Sequence, residues 1–142
     1  MQKIPALITV LTLFCFLASA PLAEQGVIVM ESGLKYEDLV VGSGPEAGVG
    51  NIAVIHLKGW LDGNGQRGAG FIDSKERGKP VSFKIGTSHV MKAWNEGIPG
   101  MRVGGKRRLM VPSHLGYGAK GAGEHVPPNA DLIIEVELLE VR

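Results

Sequence analysis

Few residues in this chain could do chemistry, and most of the patterns they form are incomplete. Gly116-Tyr117-Gly118-Ala119-Lys120-Gly121 has the glycine spacing of a dinucleotide loop. Such a loop needs a helix opening directly after it to meet the pyrophosphate. Ala122-Gly123-Glu124-His125-Val126-Pro127-Pro128 follows instead, and cannot be that helix. Gly100 to Lys106 nearly fits a phosphate-binding loop, but Arg107 stands where a magnesium-holding hydroxyl belongs. His56, His89, His114 and His125 include no pair at helical i, i+4 spacing, so a metal site would need the fold to gather them. No serine has the setting of a nucleophile elbow, and no two carboxylates are placed as a pair. Lys106-Arg107-Arg108 reads as a solvated strand edge. What remains is apolar. Val90, Met91 and Trp94 share one helical face, and Tyr117 sits in a turn. Taken alone, the indole reads as core and the phenol as a turn residue.

The elements that must position these residues are mostly strands. Gly33 to Val41 alternates around Leu34, Tyr36 and Leu39 and ends in Gly42-Ser43-Gly44-Pro45. Asn51 to Leu61 alternates next and ends at Asp62-Gly63, with a glycine-rich loop expected as far as Gly70. Val81 to Ile85, Lys106 to Val111 and Leu132 to Val141 are three further strands. Only the segment around Val90 to Trp94 reads as a helix. Thr87 or Ser88 is expected to cap it, and Gly97 to supply a left-handed residue past its end. A helix of two turns persists only when docked. The expectation is an α+β domain, with an antiparallel sheet carrying one short helix on its buried face.

Composition agrees. The 142 residues are 44% hydrophobic and 20% charged, which is globular and not disordered. Glycine, at 21 residues, is about twice its usual share and argues against a helical bundle. Lys+Arg 15 against Asp+Glu 14 excludes a strongly basic nucleic-acid binder.

Residues 1–23 read as a signal peptide: Lys3, an apolar run from Ile4 to Leu17, then Ala18-Ser19-Ala20. Cleavage after Ala20 or after Ala23 fits; an uncleaved anchor is the alternative, though the run is short of the ~20 residues of a span. The chain from Glu24 then carries 14 basic and 14 acidic residues. Cys15 is the single cysteine, preceded by Phe14 rather than the small residue of a lipidation site, so the mature chain would have no thiol chemistry. The expected protein is exported, periplasmic in a Gram-negative host and otherwise secreted, without a membrane anchor after cleavage. Residues 24–32 are expected as an extension and 33–142 as the domain. With no long helical arm before Val27, a monomer is expected.

The order of short motifs is far more specific than any of these features. Phe71-Ile72-Asp73-Ser74, Arg77-Gly78-Lys79-Pro80, Phe83-Lys84-Ile85-Gly86 and Val90 to Gly97 follow one another. Gly100 to Gly105, Leu115-Gly116-Tyr117-Gly118, Val126-Pro127-Pro128-Asn129-Ala130 and Ile134 to Leu139 complete the series. This order and spacing resembles the FKBP-type peptidyl-prolyl cis-trans isomerase family over nearly all of Leu34 to Arg142. The resemblance implies a strongly bent antiparallel sheet wrapped around a short helix, with an apolar pocket between them. It implies Trp94 as pocket floor, Tyr117 as hydroxyl donor to a bound carbonyl and Phe71 as wall. Asp73 would supply the pocket carboxylate if the chain slips locally, since in direct register Ile72 falls on that position. Val90 and Met91 would offer a backbone N–H at the helix start, Arg77 would stand beside the pocket, and Val126 in the loop above it. Leu57 stands where a pocket tyrosine is usual, and Val81 and Ile134 where aromatics are common. His89 takes a usually acidic position.

Such a pocket is chemically sufficient for amide rotation. The barrier, about 18–20 kcal/mol, is lost resonance, and for X–Pro both isomers lie close in energy. The planar amide is the more charge-separated state, which water favours. A dry apolar site therefore favours the twisted form differentially. No cofactor or metal is required. The resemblance implies proline-containing peptides and unfolded exported proteins as partners, and macrolides such as tacrolimus or rapamycin as ligands, with no nucleic acid. Two functions stay open: an isomerase assisting the folding of exported chains, or a peptide-binding chaperone module of the same fold with little turnover.

Overall fold

The computed structural model describes residues 26–142. The expected signal peptide, its cleavage points and Cys15 lie outside the described residues. Seven strands form one sheet, and every pairing in it is antiparallel. They are β1 (Ile28–Val29), β2 (Lys35–Val40), β3 (Ile52–Gly63), β4 (Gln66–Asp73), β5 (Val81–Lys84), β6 (Lys106–Val111) and β7 (Leu132–Val141). The spatial order is β1-β2-β6-β7-β3-β4, and β5 also pairs with β3. Among the described residues one α-helix, α1 (Lys92–Gly97), packs against β6. The antiparallel sheet with one short helix is thus the expected α+β architecture. Among the described residues no helix is long and apolar enough to cross a membrane.

Alternation places one side of each central strand on the core. On β7, Leu132, Ile134, Val136 and Leu138 are all buried. Ala53, Ile55 and Leu57 of β3 and Leu109 and Val111 of β6 join them in one cluster with Leu34, Ala93 and Ile98. The opposite face of the sheet carries opposite charges side by side. Arg108 pairs with both Glu37 and Glu135, and Lys75 with Glu137 at 2.9 Å. Such cross-strand pairs stabilise a ladder modestly. The hydrogen-bonded Lys75 ammonium holds the Glu137 carboxyl below its ordinary value. A carboxyl lowered by folding contributes stability above its unfolded value and loses it on protonation. The melting temperature should therefore fall as the pH drops below about 4.5, and Glu137→Gln should flatten part of that fall. An unaltered pH profile in thermal melts would refute this.

Three local expectations are corrected. Residues 64–70 do not form a loop up to Gly70; most of them continue the sheet as β4. Asn64 and Gly65 both have positive φ, 58° and 84°, and Asp62 Oδ1 accepts the Gly65 N–H at 2.6 Å. This is the primed turn of an Asn-Gly hairpin, whose twist matches the strands it joins. The glycines after it belong to an edge strand.

The second correction concerns α1. No side chain caps its start, which is Met91. Thr87 Oγ1 instead donates to the Lys84 carbonyl, and the Thr87 carbonyl accepts from Asn95 Nδ2 at 2.8 Å. Asn95 Oδ1 also accepts from the Gly86 N–H at 2.7 Å, so one amide ties the incoming loop to the helix. Gly97 lies inside the helix and not beyond it. A Cβ there would lie 2.8 Å from Leu109 Cδ2 and 3.3 Å from Leu34 Cδ2. Close packing, not a left-handed backbone, requires this glycine.

The third correction is Arg107. It is no solvated edge: β6 runs between β2 and β7, and Arg107 turns inward with 6% of its surface exposed. Its guanidinium forms a two-pronged pair with Asp38, at 2.6 and 3.2 Å. It also donates to the Gly97 and Pro99 carbonyls and lies 4.2 Å from the Tyr36 ring centre. One buried cation thereby satisfies the carbonyls left free at the end of α1.

Candidate active site

The site lies where the core side of the sheet meets α1. β3 supplies Leu57, β4 supplies Phe71 and Ile72, and β5 supplies Val81 and Phe83. Met91 and Trp94 come from the helix and its start, Val126 from the loop before β7, and Ile134 from β7. Leu57, Val126 and Ile134 belong to the buried cluster, and Phe71, Ile72, Val81, Phe83, Met91 and Trp94 pack on it half-buried. Two aromatic pairs organise the surface. Trp94 lies against Phe83, with ring centres 5.1 Å apart and planes tilted by 41°. Phe71 meets Tyr117 edge to face, at 6.3 Å and 83°. Tyr117 is 37% exposed and reaches the site through that contact.

Trp94 is held by short-range geometry. Its N–H donates to the Met91 carbonyl at 2.9 Å and its carbonyl accepts from Ile98 at 3.0 Å. Its indole Nε1 is buried and has no hydrogen-bond partner, an arrangement that costs on the order of 1–3 kcal/mol. Val90 is half-buried on the approach to α1.

Asp73 and Arg77 are not brought into this cluster. In the β3–β4 ladder Ile72 faces Gly59, and Asp73 faces Lys58 on the opposite side of the sheet. Asp73 pairs with Lys58 at 3.5 Å and accepts the Lys75 and Glu76 N–H groups. The Glu76 and Lys75 amides and the Lys58 ammonium hold its carboxyl below the ordinary value. No local slip restores Asp73 to the Phe71 side; isoleucine occupies that position. The next residue explains the register. Ser74 is buried, its Oγ lies 2.8 Å from His56 Nδ1, and it accepts the Leu57 N–H at 2.9 Å. Arg77 is exposed and lines an open groove of about 650 Å³ with Phe71, Ile72, Asp73, Glu76 and His125. Asp73→Ala should accordingly leave kcat/KM within about twofold of the parent; a loss of tenfold would return the carboxylate to the chemistry. Among the described residues no group of three His, Cys, Asp or Glu side chains could hold a metal ion.

Phe83 is the site residue that the sequence reading passed over. Its signal was present, since it alternates with Val81 and follows the Lys79-Pro80 turn. Alternation assigned it to the sheet, but only the fold brings it against Trp94.

Comparison with known proteins agrees with this geometry. A family model described as FKBP-type peptidyl-prolyl cis-trans isomerase matches residues 44–139. An FK506-binding protein of Neisseria meningitidis serogroup B (strain ATCC BAA-335 / MC58) is 48% identical over 109 residues, covering 77% of this chain and 96% of that protein. The crystal structure of AtFKBP13 matches with a TM-score of 0.73 and 38% identity, covering 82% of this chain and 99% of that one. FkpA from Escherichia coli matches with a TM-score of 0.71 and 36% identity over 84% of this chain, which spans 53% of the FkpA chain. With its fold, its apolar aromatic site and these relatives in agreement, the chain belongs to the FKBP-type peptidyl-prolyl cis-trans isomerase family.

Proposed function

We propose that this protein accelerates cis/trans exchange of X–Pro bonds in exported polypeptides, by desolvation in an apolar site without covalent chemistry. The observation that carries the reading is the two aromatic contacts, Phe83 on Trp94 and Phe71 on Tyr117, in a lining whose aliphatics include Leu57, Val81 and Ile134. Trp94 is the floor against which the proline ring lies, and Phe71 is the wall. The register shifts along β3, at Val54/Ile55 and Gly59/Trp60, are where we take the sheet to bend around α1.

The residues act on the amide by what they withhold. The carbonyl of the planar amide is strongly solvated, and an aliphatic and aromatic lining offers no replacement for that water. Rotation reduces charge separation, so the twisted form loses less on entering the site, and the barrier falls. Tyr117 is an exposed donor in contact with the Phe71 wall, and it holds a substrate carbonyl in register. The buried, unpartnered indole N–H of Trp94 supports a role beyond packing, since packing alone favours a ring without that donor. Ile72 stands on the Phe71 side of the sheet, while the Asp73 carboxylate faces Lys58 on the other. The same lining suits a macrolide such as tacrolimus, in line with the name of the FK506-binding protein of Neisseria meningitidis.

The test is exchange of short X–Pro peptides followed by NMR line shapes, with Tyr117→Phe alongside. Acceleration should be present, and Tyr117→Phe should lose about three- to tenfold, the worth of one hydrogen bond. A folded protein without acceleration sinks the isomerase reading and leaves binding of unfolded chains as the function to measure. N-terminal sequencing of protein recovered from the exported fraction tests the leader, with Pro21 or Glu24 expected first.

A further inference from the structure

Gly59 is buried on β3 beside Phe71 and Ile72 of the apolar site. In the ladder of β3 it has Ile72 of β4 on one side and Ile134 of β7 on the other. Its φ is not positive, so the backbone there does not demand glycine. Inside a strand a glycine is locally unfavourable, because it loses more freedom on folding and packs nothing. The reason for it is space. A Cβ at this position would lie 2.6 Å from Phe71 Cζ, 2.9 Å from Phe71 Cε1 and 3.0 Å from Ile72 Cγ2. The tip of the Phe71 ring occupies the volume that a side chain would take.

We propose that Gly59 is a positioning residue for the isomerase reaction, because its missing side chain is the seat of the Phe71 ring. The inference rests on the pocket reading above and deepens it. Phe71 packs half-buried on the core, lines the open groove and meets Tyr117 edge to face, so displacing its ring from Gly59 displaces that contact with it. Wall and donor are thereby set together by one vacancy in the sheet. Gly97 provides the contrast, since its added Cβ would meet Leu109 and Leu34 in the core and not the site.

Gly59→Ala tests this in the full chain as processed by its host, with Gly97→Ala as the packing control. The readouts are kcat/KM for X–Pro exchange, the NMR shifts of the Tyr117 ring protons, and Tm. Gly59→Ala should lower kcat/KM about tenfold and move the Tyr117 shifts. Gly97→Ala should lower Tm and leave those shifts in place. In a Phe71→Leu background, where the ring tip is gone, adding Gly59→Ala should cost less than about twofold. Unchanged kcat/KM and Tyr117 shifts in Gly59→Ala overturn the proposal, and so does an equal cost in both backgrounds. Should Gly59→Ala alone fail to fold, a folded and active double variant supports the seat, and an unfolded one overturns it. A parent protein without isomerase activity overturns the function instead, while the Tyr117 shifts still report on the seat.

Discussion

Trp94→Ala should lower kcat/KM toward X–Pro peptides by about 100-fold, a loss of about 2.7 kcal/mol in transition-state stabilisation. The indole lies against Phe83 at 5.1 Å and is carried by the site's only α-helix. An aromatic side chain of this size buries about 150–250 Å² when covered, and its removal opens the floor to water. Water re-solvates the substrate carbonyl, which restores the advantage of the planar amide. Truncating a large aromatic in a core costs about 3–5 kcal/mol of stability. Trp94 is only half-buried and its N–H is unpartnered, so the cost here should fall at or below the lower end. The assay therefore runs well below the melting temperature, on protein checked for fold by NMR dispersion. Trp94→Phe, which keeps an apolar ring and removes the unpaired donor, should retain more activity than the alanine variant. A folded Trp94→Ala protein with parental kcat/KM would end the desolvation account.

Arg107→Ala should be the most damaging single change to stability. It removes the partner of Asp38 and two donors to the carbonyls behind α1. Breaking a buried ion pair from one side costs about 3–5 kcal/mol, because the other charge stays behind unpaired. At roughly 2–8 °C per kcal/mol for domains of this range, Tm should fall by at least about 6 °C. Replacing both partners, as Arg107→Met with Asp38→Leu, should recover much of that loss, since an apolar pair leaves no stranded charge. Equal melting temperatures for the single and the double variant would show that the ion pair is not the source. The same experiment reports on the site at a distance, because Arg107 holds the end of the helix that carries Trp94.

What the residue order determined is five of the seven strands, β2, β3, β5, β6 and β7, and their alternation. β7 needs little tertiary information: from Ile134 to Leu138 the buried Ile134, Val136 and Leu138 alternate with Glu135 and Glu137, although Ile133 is buried too. β3 and β6 are legible for the same reason, and the ordered motifs from Phe71 to Leu139 identify the family. Through that resemblance, and not by their own setting, Trp94, Tyr117 and Phe71 are marked as the site aromatics. A period of two or of 3.6 is a local property, and local properties survive in one dimension.

Only the tertiary structure decided which faces meet. Asp73 and Ile72 are neighbours in sequence, and a shift of one residue exchanges them between the two sides of the sheet. The ladder with Lys58 and Gly59, locked by the buried Ser74, sends the carboxylate outward and isoleucine inward. Arg107 reads as a surface charge until β2 and β7 enclose its strand. Phe83 reads as an ordinary strand residue until the helix lies across it. The glycines from Gly63 to Gly70 read as a loop until an Asn-Gly turn folds them back on β3. The hairpin carries a local signal in Asn64-Gly65; the others depend on partners elsewhere in the chain that no local pattern contains.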